Sequence, residues 1–219
     1  MLDVLLVIGA LACAPTTGLG MRVFSIPSRS MEPNLPLGSF VAAYRCAYGL
    51  SGYSYDGVKL PIAHRWPDLL PARGDVIVFR TPVDPSVFYV KRVIGLPGDD
   101  VQLAQGRLIL NGKTAEREAL PNVKLRGEDG TVTEMIAYRE TLPEGHSYPI
   151  ILRDGDTGIY ETTPSFRVPA GNVFVLGDNR DNSLDSRMPV ATGGLGFVPT
   201  ELIFGQVVTV SSTHTAGEP

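Results

Sequence analysis

Histidine, cysteine and tryptophan are scarce in this chain of 219 residues, which has three His, two Cys and one Trp. Cys13 and Cys46 form no closely spaced pair, and no Cys/His cluster has metal-ligand spacing. Neither a metal site nor a dense disulfide framework is therefore expected, and both cysteines read as free thiols. His64, His146 and His214 sit among loop-like neighbours, so a His-based triad has no supporting pattern and solvated loop histidines are the better reading. The basic residues are scattered under a formal net charge of -4. No basic stripe is interleaved with aromatics, so nothing favours a nucleic-acid partner. No helix-period segment of convincing length follows residue 25, and there is no internal repeat or low-complexity tract.

Glycine and proline are abundant, at 24 and 18 residues. They lie between apolar runs rather than in clusters, which predicts many short strands and turns. The length suits one large all-β domain or two small ones. Strands are expected at Arg22–Pro27, Phe40–Tyr44, Asp75–Arg80, Phe88–Gly95, Arg107–Leu110, Val132–Arg139, Tyr148–Leu152, Val173–Leu176 and Leu202–Val210. Asn111-Gly112, between Arg107–Leu110 and Lys113–Ala115, is a strong two-residue hairpin signal. Residues 45–73 read as a long irregular loop carrying Trp66, and the tail from Ser211 as frayed.

The N-terminus opens with an apolar run from Val4 to Ala14 that can stretch to Met21, close to the roughly 20 residues a bilayer span needs. A membrane anchor is the leading reading. A cleaved secretory signal competes, because Ala12-Cys13-Ala14 has small residues where such signals are cut, although Pro15 would then follow the cut. A buried helix is the third reading. Asp3 before the run and Arg22 and Arg29 after it would by themselves place the body in the cytoplasm. One resolution is a natural start upstream of Met1.

Four segments put polar groups beside rigid turns. In Ile26-Pro27-Ser28-Arg29-Ser30-Met31-Glu32-Pro33 two prolines fix the backbone on either side of two serines. In Phe88–Asp99 strand alternation puts Tyr89, Lys91 and Val93 on one face and Val90, Arg92 and Ile94 on the other. Lys91 is thus either a solvated cation on an edge strand or a neutral amine held in an apolar site. Neutrality has a cost. At a pKa of about 10.4 fewer than roughly one lysine in a thousand is neutral at pH 7, and a drop of about 2 to 3 units costs the ammonium roughly 3 to 4 kcal/mol, which burial can supply. Arg92 cannot serve as a base, since guanidinium does not deprotonate. Gly177–Arg187 follows a buried strand with acids and arginines dense enough for an ion-pair network. Gly74–Phe79 reads as a structural turn entering a core strand.

Taken together, these segments, with the shorter Gly196-Phe197-Val198-Pro199, resemble the bacterial type I signal peptidases, or leader peptidases, in that family's order. The resemblance implies a mainly β fold: two antiparallel sheets forming a catalytic core, a smaller inserted β region, and one N-terminal membrane-anchor helix. Laid on this chain, it gives an anchor over 1–21, core over 22–100 and 171–211, an insertion over 101–170 and a frayed tail over 212–219. It implies that Ser30 is the nucleophile, Lys91 the general base, and Ser183 the hydroxyl that orients Lys91. The Ser30 N–H and the Ser28 hydroxyl would form the oxyanion hole. Phe24, Ile26, Pro27, Met31, Tyr89 and Val90 would line shallow pockets for small side chains at positions -1 and -3, the Ala-x-Ala pattern. Arg92 would pair with Asp178, and Arg180, Asp185 and Arg187 would complete the ion pairs. No cofactor or metal is implied. The implied partners are preproteins and a lipid bilayer, for a monomer on the extracytoplasmic side of the cell membrane. Arg29 departs from the family, which usually has Gly there, and Leu195 stands where Trp is common. Two rivals remain: a dedicated Ser/Lys maturation peptidase and a non-catalytic membrane-bound subunit on the same fold.

Overall fold

The computed structural model describes residues 20–57, 60–62, 64–127, 129–155, 158 and 160–211. The expected anchor lies almost wholly outside these residues, and the expected tail entirely so. Among the described residues no helix is long and apolar enough to cross a membrane.

Among the described residues fourteen strands make up the framework. They are β1 (Met21–Ser25), β2 (Phe40–Tyr44), β3 (Val76–Arg80), β4 (Phe88–Gly95), β5 (Asp100–Ala104), β6 (Arg107–Leu110), β7 (Lys113–Thr114), β8 (Glu116–Arg126), β9 (Val132–Thr141), β10 (Ser147–Leu152), β11 (Phe166–Arg167), β12 (Asn172–Leu176), β13 (Val198–Pro199) and β14 (Ile203–Ser211). They form a seven-stranded sheet in the order β1-β2-β14-β3-β4-β12-β13, a three-stranded sheet β10-β9-β8, and a four-stranded sheet β11-β5-β6-β7. All strand pairings are antiparallel. The sequence between β4 and β12 supplies both smaller sheets, so the expected insertion is itself two-sheeted.

The middle of the large sheet, β3, β4 and β12, is covered on both faces, which is why these strands read as nearly continuous apolar runs. On β4 and β12, Ile94, Phe174 and Leu176 pack with Val101, Leu103, Leu108, Ile150 and Leu152 from the smaller sheets. The alternate residues Val93, Val173 and Val175 pack on the other face with Tyr48, Ile77, Phe79 and Leu195. Leu195 thus fills core space on this face.

The Asn111-Gly112 turn joins β6 to β7 with positive φ at both residues, 52° and 75°. That conformation suits Gly and is tolerated by Asn. The loop of residues 45–73 is pinned by buried Arg65, which donates to the carbonyls of Gly49, Thr200 and Ile203. One expectation is corrected here. Cys46 is disulfide-bonded and not a free thiol. The other cysteine, Cys13, lies outside the described residues. Spacing along the sequence could not reveal this bond, because a disulfide requires proximity in space.

Candidate active site

The loop after β1 turns back on itself through hydrogen bonds from Ile26 N to Ser39 O, Gly38 N to Ile26 O and Leu35 N to Met31 O. It carries Ser30 at its crest. Beside it runs β4, whose central residue Lys91 points at the same spot. Lys91 Nζ lies 2.5 Å from Ser30 Oγ, across 61 residues of sequence. Both side chains are buried, at 4% and 8% exposure. The hydroxyl is the only hydrogen-bond partner of Nζ among the described residues, and no carboxylate is within ion-pair reach.

Burial drives the Lys91 ammonium down to about pH 8. Asp185 and Asp178 pull the other way from a distance, and Arg187 reinforces the drop. An amine with that pKa is neutral in a useful fraction near neutrality, which an ordinary lysine is not. Ser28 Oγ is 3.2 Å from Ser30 Oγ. The Ser30 N–H makes no hydrogen bond among the described residues, which leaves it free to donate to a developing oxyanion.

Ser183 is close by. A Cβ added to Gly177 would lie 2.2 Å from Ser183 Oγ and 2.5 Å from the Ser30 carbonyl oxygen, so only glycine fits between the Ser183 side chain and the Ser30 backbone. Ser183 Oγ is buried and makes no hydrogen bond of good geometry, to Lys91 or to any other described group. It is near enough to Asp185 to help keep that carboxyl low, although burial opposes this and Arg187 does most to lower it.

A cavity of about 320 Å³ opens onto the serine. Phe24, Ile26, Pro27, Met31, Tyr89 and Val90, all expected as pocket residues, line it together with Ser25, Ser28, Phe88, Asn182 and Leu184. Strand β1, at its rim, is the edge of the large sheet.

In the loop of residues 177–187, Asp178, Arg180, Asp185 and Arg187 are buried rather than solvated, and partners reach them from three elements. Arg92 on β4 makes a bidentate pair with Asp178, at 2.8 and 2.7 Å. Arg187 forks onto Asp185, at 2.8 and 3.0 Å, and Asp185 accepts the Gly177 N–H. Arg180 pairs with Glu140 on β9, and Tyr148 donates to the same carboxylate at 2.9 Å. Burial opposes ionisation of Glu140, but Arg180 outweighs it and the carboxyl is held low.

Glu140 gave no sequence signal, since its partner lies 40 residues away. Asn34 and Asn179 were missed as well. Asn34 Nδ2 donates to Pro149 O and Asp178 Oδ2, at 2.8 and 2.7 Å. Asn179 donates from its backbone to Ser30 O and from Nδ2 to Arg29 O, at 3.1 and 3.2 Å. These amides lace the serine loop to the charged loop. His64 and His146 are exposed and make no contact with Ser30, and His214 lies outside the described residues.

A model of the family described as signal peptidase, peptidase S26, matches residues 1–211. The chain belongs to the signal peptidase family, peptidase S26. It is 39% identical over 194 residues to the signal peptidase I of Rickettsia typhi, an alignment covering 85% of this chain and 70% of that relative. It is 38% identical over 193 residues to the signal peptidase I of Pseudomonas aeruginosa, covering 85% of this chain and 63% of that one. The crystal structure of a signal peptidase I from Enterococcus faecalis is 28% identical and spans 64% of this chain and 97% of its own, with a TM-score of 0.36, too low to bear on the fold. This family member is a peptide-bond hydrolase of the signal peptidase I kind, and the family is membrane-associated.

Proposed function

We propose that this peptidase cuts exported preproteins after an Ala-x-Ala site with a Ser30–Lys91 dyad, at the outer face of the cell membrane. The observation that carries this reading is a buried amine 2.5 Å from a buried hydroxyl. Neutral Lys91 takes the Ser30 proton as Oγ attacks the scissile carbonyl carbon. The Ser30 N–H and the Ser28 hydroxyl hold the resulting oxyanion, where one donor is worth about 3 to 4 kcal/mol. Lys91 then protonates the departing amine, leaving the signal peptide as an ester on Ser30. Water, deprotonated by the same amine, cleaves that ester and restores the serine.

Ser183 would receive a hydrogen bond from the Lys91 ammonium once the proton has moved, and its unpartnered oxygen supports this part. Small side chains at positions -1 and -3 would enter the cavity between Phe24, Ile26 and Tyr89. The substrate strand would add to the open edge of β1. Residues 1–21 would serve as a single anchor, and the body would act as a monomer facing away from the cytoplasm.

The test uses purified chain in detergent with a preprotein bearing Ala-x-Ala. Wild type should release a mature chain whose new N-terminus follows the second alanine. Ser30→Ala and Lys91→Ala should each lower turnover by at least about 10⁴-fold with the fold intact, as loss of a nucleophile or its base does elsewhere. Full activity in either variant rejects the dyad.

A further inference from the structure

A second cavity, of about 210 Å³, adjoins the first. Ser30 lines the first cavity, its neighbour Arg29 lines the second, and Asn182 lines both. We propose that this second cavity receives the first residues of the mature chain, beyond the scissile bond, and that Arg29 gives it a preference for an acidic side chain there. The inference rests on the peptidase reading of Ser30.

A peptide cut at Ser30 must continue past it. With the residues before the cut held along β1, the segment after the cut meets the adjacent hollow. The far wall of that hollow is the β8–β9 hairpin, through Leu125, Thr133 and Met135. The hairpin is tied to the serine loop at this point, because Arg29 Nη2 donates to the Arg126 carbonyl at 2.5 Å.

The charges in this cavity are unequal in availability. Asp181 already accepts the backbone N–H groups of Arg153 and Asp154, at 2.7 and 3.0 Å. The Arg153 guanidinium is turned onto Asp154, at 2.8 to 3.2 Å. Arg29 is held by the Arg126 carbonyl and, more loosely, by Glu32 at 3.1 and 3.4 Å. Its Nε has no partner among the described residues, and its side chain is 26% exposed. A fixed guanidinium with a spare donor facing a cavity is a carboxylate receptor. Glu32 takes up part of its charge, Asp181 keeps its own negative charge and solvent reaches the guanidinium, so the preference is modest, at most about fivefold as for a part-exposed ion pair.

The experiment measures kcat/KM on peptides with Ala-x-Ala before the cut and Glu, Gln or Lys at each of the first three positions after it. At one position Glu should exceed Lys by up to about fivefold, and Arg29→Gln should bring that ratio to about one while Arg29→Lys retains it. A second arm needs no variant, since 1 M salt should erase the preference in wild type. Peptides extended by six residues past the cut should also be cleaved faster than those ending one residue past it. If cleavage proceeds with no Glu/Lys difference at any position, or with a difference that survives both Arg29→Gln and high salt, the inference falls and the peptidase reading stands. If wild type cleaves no peptide in the series, both fall.

Discussion

Lys91 and Arg92 are neighbours on one strand, equally deep in the protein at 4% and 5% exposure, and they end in opposite electrostatic states. Lys91 faces a hydroxyl and is pushed down by its loss of water. Arg92 loses as much water, but Asp178 outweighs that loss and its charge is reinforced. Depth sets the size of the penalty, and the partner decides whether it is offset. Strand alternation sends the two side chains to different faces, so one element delivers a base on one side and a structural tie on the other.

The sharpest way to break this contrast is to make the two residues alike. Lys91→Arg keeps a cation but no longer has a group that can accept a proton. Turnover should fall by at least about 10⁴-fold, and appreciable activity at any pH would mean that Lys91 is not the base.

The contrast can also be broken from the other side. Asp178→Ala strands a buried guanidinium, which elsewhere costs about 3 to 5 kcal/mol. Urea unfolding should register a loss of that order. A loss below about 1 kcal/mol would mean that solvent reaches Arg92 freely.

The smallest effect concerns Lys91 alone. A drop from 10.5 to about 8 corresponds to roughly 3 kcal/mol against the folded ammonium. Because the folded pKa lies below the unfolded one, the unfolded chain binds more protons between pH 8 and 10.5, and stability from this group rises with pH across that window. Below pH 8 the full penalty applies. Lys91→Met, which removes the charge at similar volume, should therefore stabilise the fold by up to about 3 kcal/mol below pH 8, with the gain fading towards pH 10.5. Denaturant melts at several pH values check this, and a gain independent of pH would rule out a buried ammonium. In the wild type, kcat/KM should climb through about pH 8 as the amine empties.

The strands that pack on the large sheet were legible because both their faces are apolar, so runs such as Val76–Phe79 and Val173–Leu176 stand out whatever the register. β8 was not legible. Its eleven residues, Glu116–Arg126, are almost all exposed or half-exposed, and Pro121 falls where its register with β9 shifts between Leu120 and Val123. An arm held mainly by its partner strand shows neither alternation nor an apolar run. The turn between β5 and β6 was hidden in the same way. Gln105 and Gly106 both have positive φ, but Gln does not advertise the turn as Asn111 does.

At the site, Ser30 and Lys91 lie too far apart in sequence for spacing to join them, and family resemblance alone brought them together. Glu140, Asn34 and Asn179 belong to no motif that spacing could reveal. They act by reaching across the fold to groups whose nearness only the assembled sheets create. The Cys46 disulfide was lost for the same reason.

Asn34 and Asn179 clamp the nucleophile loop through amides that stay electrically silent at every pH a cell meets. The machine is thus divided into a titrating part and a mute part. Acidification can refill Lys91 with its proton and stall the reaction while the serine keeps its address, so recovery on return to alkali requires only a proton to depart.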